Sequence, residues 1–282
     1  MNDKKYLALW GLGYNPFLPS IPADCLWSPP AAETFFPRVE MLVRRGGFAL
    51  ISGEPGTGKS KVLKLLTDRL DRLGELTVGV MERPQSRLGD FYRELGELFG
   101  VTLTPANRYC GFRSLRAQWR SHVKSTLVRP VLLVDEAQQM STDSLTELRI
   151  LSSTDFDSEC LLTTVLCGDG RLGERFRSRD LLPLDGRIRT RLTLDAFSQQ
   201  ELGDYLEHSL QMAGGSGLMT DELKHALCMH AGGNLRTLAN MAAELLDAAA
   251  EREVKTLDEE LFFEVFAKSI KAPRKKKPRR RS

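Results

Sequence analysis

The run Gly53-Glu54-Pro55-Gly56-Thr57-Gly58-Lys59-Ser60 places small, turn-forming residues ahead of a cation and a hydroxyl. That order suits phosphate chemistry. Glycines let backbone N–H groups curl around an anion, and a helix starting at once would add the positive end of its dipole. Lys59 is then placed to reach the β- and γ-phosphates of a nucleotide, and the Ser60 hydroxyl to ligate Mg²⁺. Lys61 follows directly, so residues 53–61 form the expected nucleotide-binding set. A second group of acids closes the stretch VLLVDEAQQM (131–140). Asp135 is expected to hold Mg²⁺ through water, and Glu136 to orient and deprotonate the attacking water.

Both groups need a scaffold, and the flanking sequence supplies one. FALISG (48–53) is an apolar strand pattern running into the glycine loop, and KVLKLLTDRLDRLG (61–74) has helical periodicity. Residues 131–134 read as a buried strand with carboxylates at its C-terminal end, where ligands sit in open parallel sheets. Further strands are expected at 76–82, 161–168 and 191–197, with a helix starting near Ser141. Strands alternating with helices predict an α/β fold: a five-stranded parallel sheet covered on both faces. Residues 20–37, with Pro22, Pro29, Pro30 and Pro37, read as an extended strap.

Charge is distributed unevenly. From Leu98 to Val134 there is no Asp or Glu, yet Arg113, Arg116, Arg120 and Lys124 recur at helical steps beside an apolar stripe of Phe112, Leu115, Trp119 and Val123. The last twelve residues, KAPRKKKPRRRS, hold eight basic residues and no acid. Removing those eight from 40 leaves 32 against 37 acids, so the remainder is mildly acidic. Such a tail cannot fold alone, and its charge suits phosphate backbones. No apolar run is long enough to span a bilayer, and the N-terminus lacks the pattern of a signal peptide. Five cysteines (25, 110, 160, 167 and 228) form no CxxC pair, which fits a reducing compartment and a cytoplasmic protein.

Three longer stretches carry a resemblance. DEAQQMSTDSLTELRILSSTDFDSECLLTTVLCGD (135–169), YLALWGLGYNPF (6–17) and residues 205–249 resemble ExeA-like AAA+ ATPases. That family includes a secretion-associated branch and transposon-encoded helpers similar to TniB, TnsC and MuB. The resemblance implies an AAA+ P-loop NTPase with a strap at 1–45 packing near the adenine pocket through Trp10 and Phe17. It also implies an ATPase core at 46–196, a small all-α lid at 197–270 and a disordered basic tail at 271–282. Arg236 falls at the sensor 2 position. Arg187 or Arg189 falls where the family places its arginine finger, acting in the neighbouring subunit. The sensor 1 position, usually neutral and polar, falls on Asp169.

The resemblance further implies a Mg²⁺-dependent ATPase that assembles as a homo-oligomer, ring or helical filament, on double-stranded DNA. It would regulate target choice for a DDE-type transposase, with a target-selector protein as a further partner and no membrane. The expected DNA contacts are Arg83 and Arg87 in the loop 81–87, Arg108, Arg113, Arg116, Arg120 and Lys124 on the basic helix, and Lys275, Lys276 and Lys277 in the tail. The alternatives are a secretion-associated ATPase and a replication loader or remodeller.

Overall fold

The computed structural model describes residues 3–84, 87–101, 108–154 and 159–270; Lys275, Lys276 and Lys277 lie outside them. In chain order, helix α1 (Asp3–Trp10) and α2 (Pro30–Val43) precede strand β1 (Gly47–Gly53), α3 (Lys59–Asp71) and β2 (Leu76–Met81). Then come α4 (Leu88–Leu98), α5 (Arg108–Ser125), β3 (Arg129–Val134), α6 (Thr142–Ser152) and a two-stranded ribbon of β4 (Ser153–Thr154) and β5 (Glu159–Cys160). Strand β6 (Thr163–Gly168), α7 (Gly170–Phe176), α8 (Leu182–Asp185) and β7 (Ile188–Leu194) complete the sheet region. Four helices follow: α9 (Gln199–Ala213), α10 (Asp221–Ala231), α11 (Leu235–Arg252) and α12 (Glu259–Ile270).

The sheet has five parallel strands in the order β2-β3-β6-β1-β7. Successive side chains of a strand point to opposite faces, and the core divides accordingly. Ala49, Ile51, Val131, Leu133, Val165 and Cys167 pack under α2 and α3 with Phe36, Val62, Leu66 and Leu70. Their alternates Phe48, Leu50, Leu132, Val134 and Leu166 pack on the other face with Phe91, Leu95, Trp119, Leu145 and Phe176. Both faces are covered, which is why β3 reads as an unbroken apolar run rather than an alternating one.

The chain forms two compact units, Ser28–Ala196 and Met1–Trp27 with Phe197–Ser282. In the second, Tyr6, Leu12 and Phe17 share one core with Leu202, Tyr205, Leu206, Leu227, Leu238 and Leu245. Trp10 stacks on Tyr6 and donates to the Val254 carbonyl (3.1 Å), and Phe17 packs against Tyr205. The first 27 residues thus join the C-terminal helices, whereas the sequence suggested a single segment through residue 45. A capping box fixes the start of α9: Ser198 accepts from the Glu201 N–H, and Glu201 accepts from the Ser198 N–H.

Three local expectations need correction. The strap at 20–37 is helical from Pro30 onward. Pro30 opens α2, where its missing N–H costs nothing, and Pro37 lies on the exposed face. Ala32, Phe35, Phe36, Val39 and Leu42 line the buried face and outweigh the proline. Strand β7 begins at Ile188, three residues early, because pairing with β1 starts at Phe48↔Ile188 before a register shift. Strand β6 starts at Thr163 rather than 161, since the Leu161 N–H is drawn to the Ser152 carbonyl at the ribbon (2.7 Å).

On α5, Leu115 and Trp119 are buried, and Trp119 meets Phe99 edge-on with ring centroids 5.3 Å apart. This contact fixes the helix against the sheet unit. Trp119→Ala should cost about 3–5 kcal/mol of stability, a fall in melting temperature that a thermal denaturation series would read directly.

Candidate functional site

Strand β1 delivers the glycine loop to the C-terminal edge of the sheet. Gly56 and Gly58 adopt φ of 91° and 85°, in the region that favours glycine, and α3 starts immediately after. Gly53 admits no side chain: a Cβ there would lie 2.9 Å from Thr57 Oγ1 and 3.0 Å from Leu194 Cβ, with the Leu194 carbonyl oxygen closer still. Thr57 Oγ1 donates to the Glu54 carbonyl (2.8 Å) and braces the curl. Lys59 is only 8% exposed, and its ammonium donates to the carbonyls of Gly53 (2.9 Å) and Glu54 (3.0 Å). Its charge therefore sits at the centre of the loop. Glu54, Pro55 and Ser60 face outward, and burial, followed by the charge of Lys64, lowers the pKa of Lys61.

Strand β6 lies between β1 and β3, so the ends of these three strands gather the chemistry. Asp135 directly follows β3, anchored by its N–H to the Met81 carbonyl (2.9 Å), and its carboxylate accepts from the Glu136 N–H (2.9 Å). Glu136 has φ of 51°, an unusual value for a non-glycine residue. The turn it makes sends its side chain toward Gln138. Gln138 Nε2 donates to Glu136 Oε2 (2.6 Å), and Gln138 Oε1 accepts from the Asp169 N–H at the end of β6 (3.3 Å). Arg175 on α7 holds the Gln138 carbonyl (2.7 Å). One side chain thus ties the acid expected to handle water to the expected sensor strand.

Two neighbours complete the picture. Cys167 on β6 is fully buried; burial, then the Asp135 charge and a hydrogen bond to its carboxylate, push the thiol pKa up, so it stays an S–H donor. Asp169 caps α7, accepting from the Arg171 N–H (3.0 Å) and pairing with the Arg171 guanidinium (2.6 Å). Those hydrogen bonds hold its carboxyl below the usual range. An arginine therefore offsets the acid at the position expected to be sensor 1. The sequence pointed to neither Gln138 nor Cys167. Gln138 belongs to the quoted motif but carries no charge, and Cys167 meets Asp135 only through strand order.

The other expected residues are dispersed. Arg187 directly precedes β7 and Arg189 is its second residue. β1 and β7 run parallel with Leu194 beside Gly53, so seven and five residues respectively separate them from the glycine loop, which at about 3.3 Å per residue is roughly 15–25 Å. Neither reaches the loop of its own chain. Arg187 is half-buried and donates to the Arg149 carbonyl (3.4 Å) and Ser153 Oγ (3.1 Å), while Arg189 is exposed. Arg236, exposed, is the second residue of α11 in the helical unit, one position after the Asn234 cap and Leu235.

The basic stripe of α5 divides in two. Arg113 and Lys124 are exposed, whereas Arg116 lies 4.9 Å from the Phe112 ring and Arg120 is hydrogen-bonded to the Thr154 hydroxyl. Arg108 opens the helix. Arg83 is exposed beyond β2, and Arg87 is exposed at the start of α4.

Residues 43–176 match the AAA domain family. General secretion pathway protein A of Aeromonas hydrophila is 33% identical over 172 residues, which is 60% of this chain but only 30% of that protein. Among solved structures, Drosophila ORC bound to DNA aligns with a TM-score of 0.69 at 19% identity, covering 91% of this chain and 65% of that one. Cdc6p of Pyrobaculum aerophilum gives 0.69 at 15% identity, covering 90% and 70%. The RuvB Holliday junction branch migration motor of Thermotoga maritima gives 0.56 at 15% identity, covering 89% and 72%. These likenesses identify the fold as that of AAA+ P-loop NTPases.

Proposed function

We propose that this chain, an ATPase of the AAA+ P-loop fold whose residues 43–176 match the AAA domain family, uses ATP to assemble on double-stranded DNA and so to mark target sites for a DDE-type transposase. The observation that carries this reading is α5. It presents Arg113 and Lys124 outward from an acid-free segment and runs through three residues into β3, the strand directly followed by Asp135 and Glu136. A DNA contact built this way is mechanically joined to the hydrolytic acids. The DNA-bound Drosophila ORC and the RuvB branch migration motor, both of this fold, support DNA as the partner.

In this account ATP lies along the glycine loop with Lys59 on its terminal phosphates. Mg²⁺ suits the hard oxygen donors of Ser60 and Asp135 and would neutralise charge between the phosphates. Glu136 takes the proton of the attacking water, with Gln138 holding the carboxylate in place. Arg189, exposed and far from its own loop, acts on the nucleotide of a neighbouring subunit, while Arg187 braces the ribbon. Arg236 reads the nucleotide from the helical unit.

Contacts to DNA backbone are independent of sequence and release counterions, with a log–log salt slope of about −0.9 per phosphate neutralised. Arg113→Ala/Lys124→Ala should therefore weaken binding to random duplex and make the slope shallower by about 1.8. Anisotropy across a salt series measures this; an unchanged slope would remove α5 from the DNA surface.

A second reading is favoured by the likeness to general secretion pathway protein A. It places the same ATPase at the cell envelope. No described helix is long and apolar enough to cross a membrane. Recovery of the full chain in a membrane fraction, resistant to salt washing, would favour it.

A further inference from the structure

Four acids gather at the C-terminal edge of the sheet: Glu54 in the glycine loop, Asp135 and Glu136 after β3, and Asp169 after β6. A triphosphate along the loop adds several negative charges to that edge. Lys59 and the oxygen donors expected to hold Mg²⁺ answer part of them, but Asp169 belongs to neither group. What answers Asp169 is Arg171. Its Nε donates to Oδ1 (3.1 Å) and Oδ2 (2.9 Å), and its Nη2 donates to Oδ2 (2.6 Å). That fork uses one edge of the guanidinium. Of its five N–H donors, the two on Nη1 and the second on Nη2 have no hydrogen-bond partner among the described residues. The Asp169 side chain is 14% exposed and the Arg171 side chain 70% exposed, so the acid is the anchor and the free edge is open to solvent.

Contacts on both sides place this pair at the loop of its own chain. Gly170, between the two residues, lies against the loop: a Cβ there would stand 3.4 Å from Glu54 Oε1. The Asp169 N–H donates to Gln138, which holds Glu136. Charge reports the same neighbourhood. Hydrogen bonds from Arg171 do most to lower the Asp169 pKa, and the Lys59 ammonium lowers it further. Asp169 does most to raise that of Arg171, with Glu136 adding to it. Arg187 and Arg189 stand at the other end of the strands, and Arg236 belongs to the helical unit. Arg171 was not legible as a site residue because it lies two positions beyond the quoted motif that ends at Asp169.

We propose that Arg171 binds the terminal phosphate of a nucleoside triphosphate in its own subunit, presenting its free guanidinium edge while Asp169 holds the other. Phosphate oxygens accept such a fork as a carboxylate does, and with more charge. Bridged in this way, the acid and the phosphate share one cation instead of repelling each other. A diphosphate ends short of the fork, so the contact distinguishes ATP from ADP. The inference rests on ATP lying along the glycine loop, and it assigns that site a further binding residue.

Titration calorimetry of the full chain with a non-hydrolysable ATP analogue and with ADP tests it. Arg171→Ala should weaken binding of the analogue at least about tenfold and of ADP less than about threefold. Asp169→Asn added to Arg171→Ala should recover part of the loss, because no bare carboxylate then faces the phosphate. Asparagine still caps α7, so the helix is kept. If the ion pair only braced α7, the double variant would bind no better than Arg171→Ala, and the two nucleotides would be weakened alike; either result would overturn the proposal. So would an Arg171→Ala chain that binds the analogue as tightly as the wild type. A wild type that binds neither nucleotide would remove the ATP reading of the loop and the role of Arg171 together. Selective loss of the analogue in Arg171→Ala, alongside a wild type whose DNA affinity ignores nucleotide, would sustain Arg171 and reject the DNA reading alone.

Discussion

Lys59→Ala is expected to reduce ATP hydrolysis by at least about 10²–10³-fold and to remove detectable nucleotide binding. The ammonium is nearly buried, and the carbonyls of Gly53 and Glu54 hold it in the middle of the curl. An amine with three donors can hand those bonds to phosphate oxygens without moving far. Alanine leaves the triphosphate facing loop carbonyls with no cation between them. The cost appears in binding as well as turnover, because the phosphates carry charge in both the ground and transition states. Titration with a fluorescent nucleotide and a steady-state phosphate-release assay measure the two effects. Turnover within about threefold of the wild type would show that the triphosphate does not use this lysine.

Glu136→Gln should separate the two effects. Nucleotide binding should persist while hydrolysis falls by about 10²–10⁴-fold, the usual contribution of a positioned general base. The amide keeps the shape of the side chain but cannot accept the proton of water. Its partner Gln138 can turn its own amide and preserve the contact now made at 2.6 Å, so the backbone turn at φ of 51° should survive. The variant should therefore accumulate in the ATP state and associate more readily than the wild type. Loss of nucleotide binding together with turnover would instead make Glu136 part of the loop's architecture.

The glycine loop and the acids of β3 were legible because their information is local. Eight contiguous residues specify the loop, and an apolar run ending in two carboxylates specifies the strand. The five-strand parallel sheet followed from alternation, and ended as five strands with both faces covered. Strand order was not legible, since it depends on which apolar faces meet. With it went the placing of Cys167 beside Asp135 and of Asp169 beside Gln138. The helix α2 was hidden by its prolines, whose local preference lost to five apolar side chains spaced for one face. Packing of residues 1–27 with the C-terminal helices is contact across most of the chain length, which no local pattern encodes. The basic stripe was visible as periodicity, but not its division: Arg120 turns to Thr154 only because β4 passes nearby.

The central claim is that ATP, through this site, controls the grip on duplex DNA. It is tested most directly by fluorescence anisotropy of the full chain on a random-sequence duplex at one fixed salt concentration, comparing a non-hydrolysable ATP analogue with ADP. The account predicts binding at least about tenfold tighter with the analogue, a difference of about 1.4 kcal/mol, and no such difference in Lys59→Ala. Equal affinity with the analogue, with ADP and without nucleotide would contradict it.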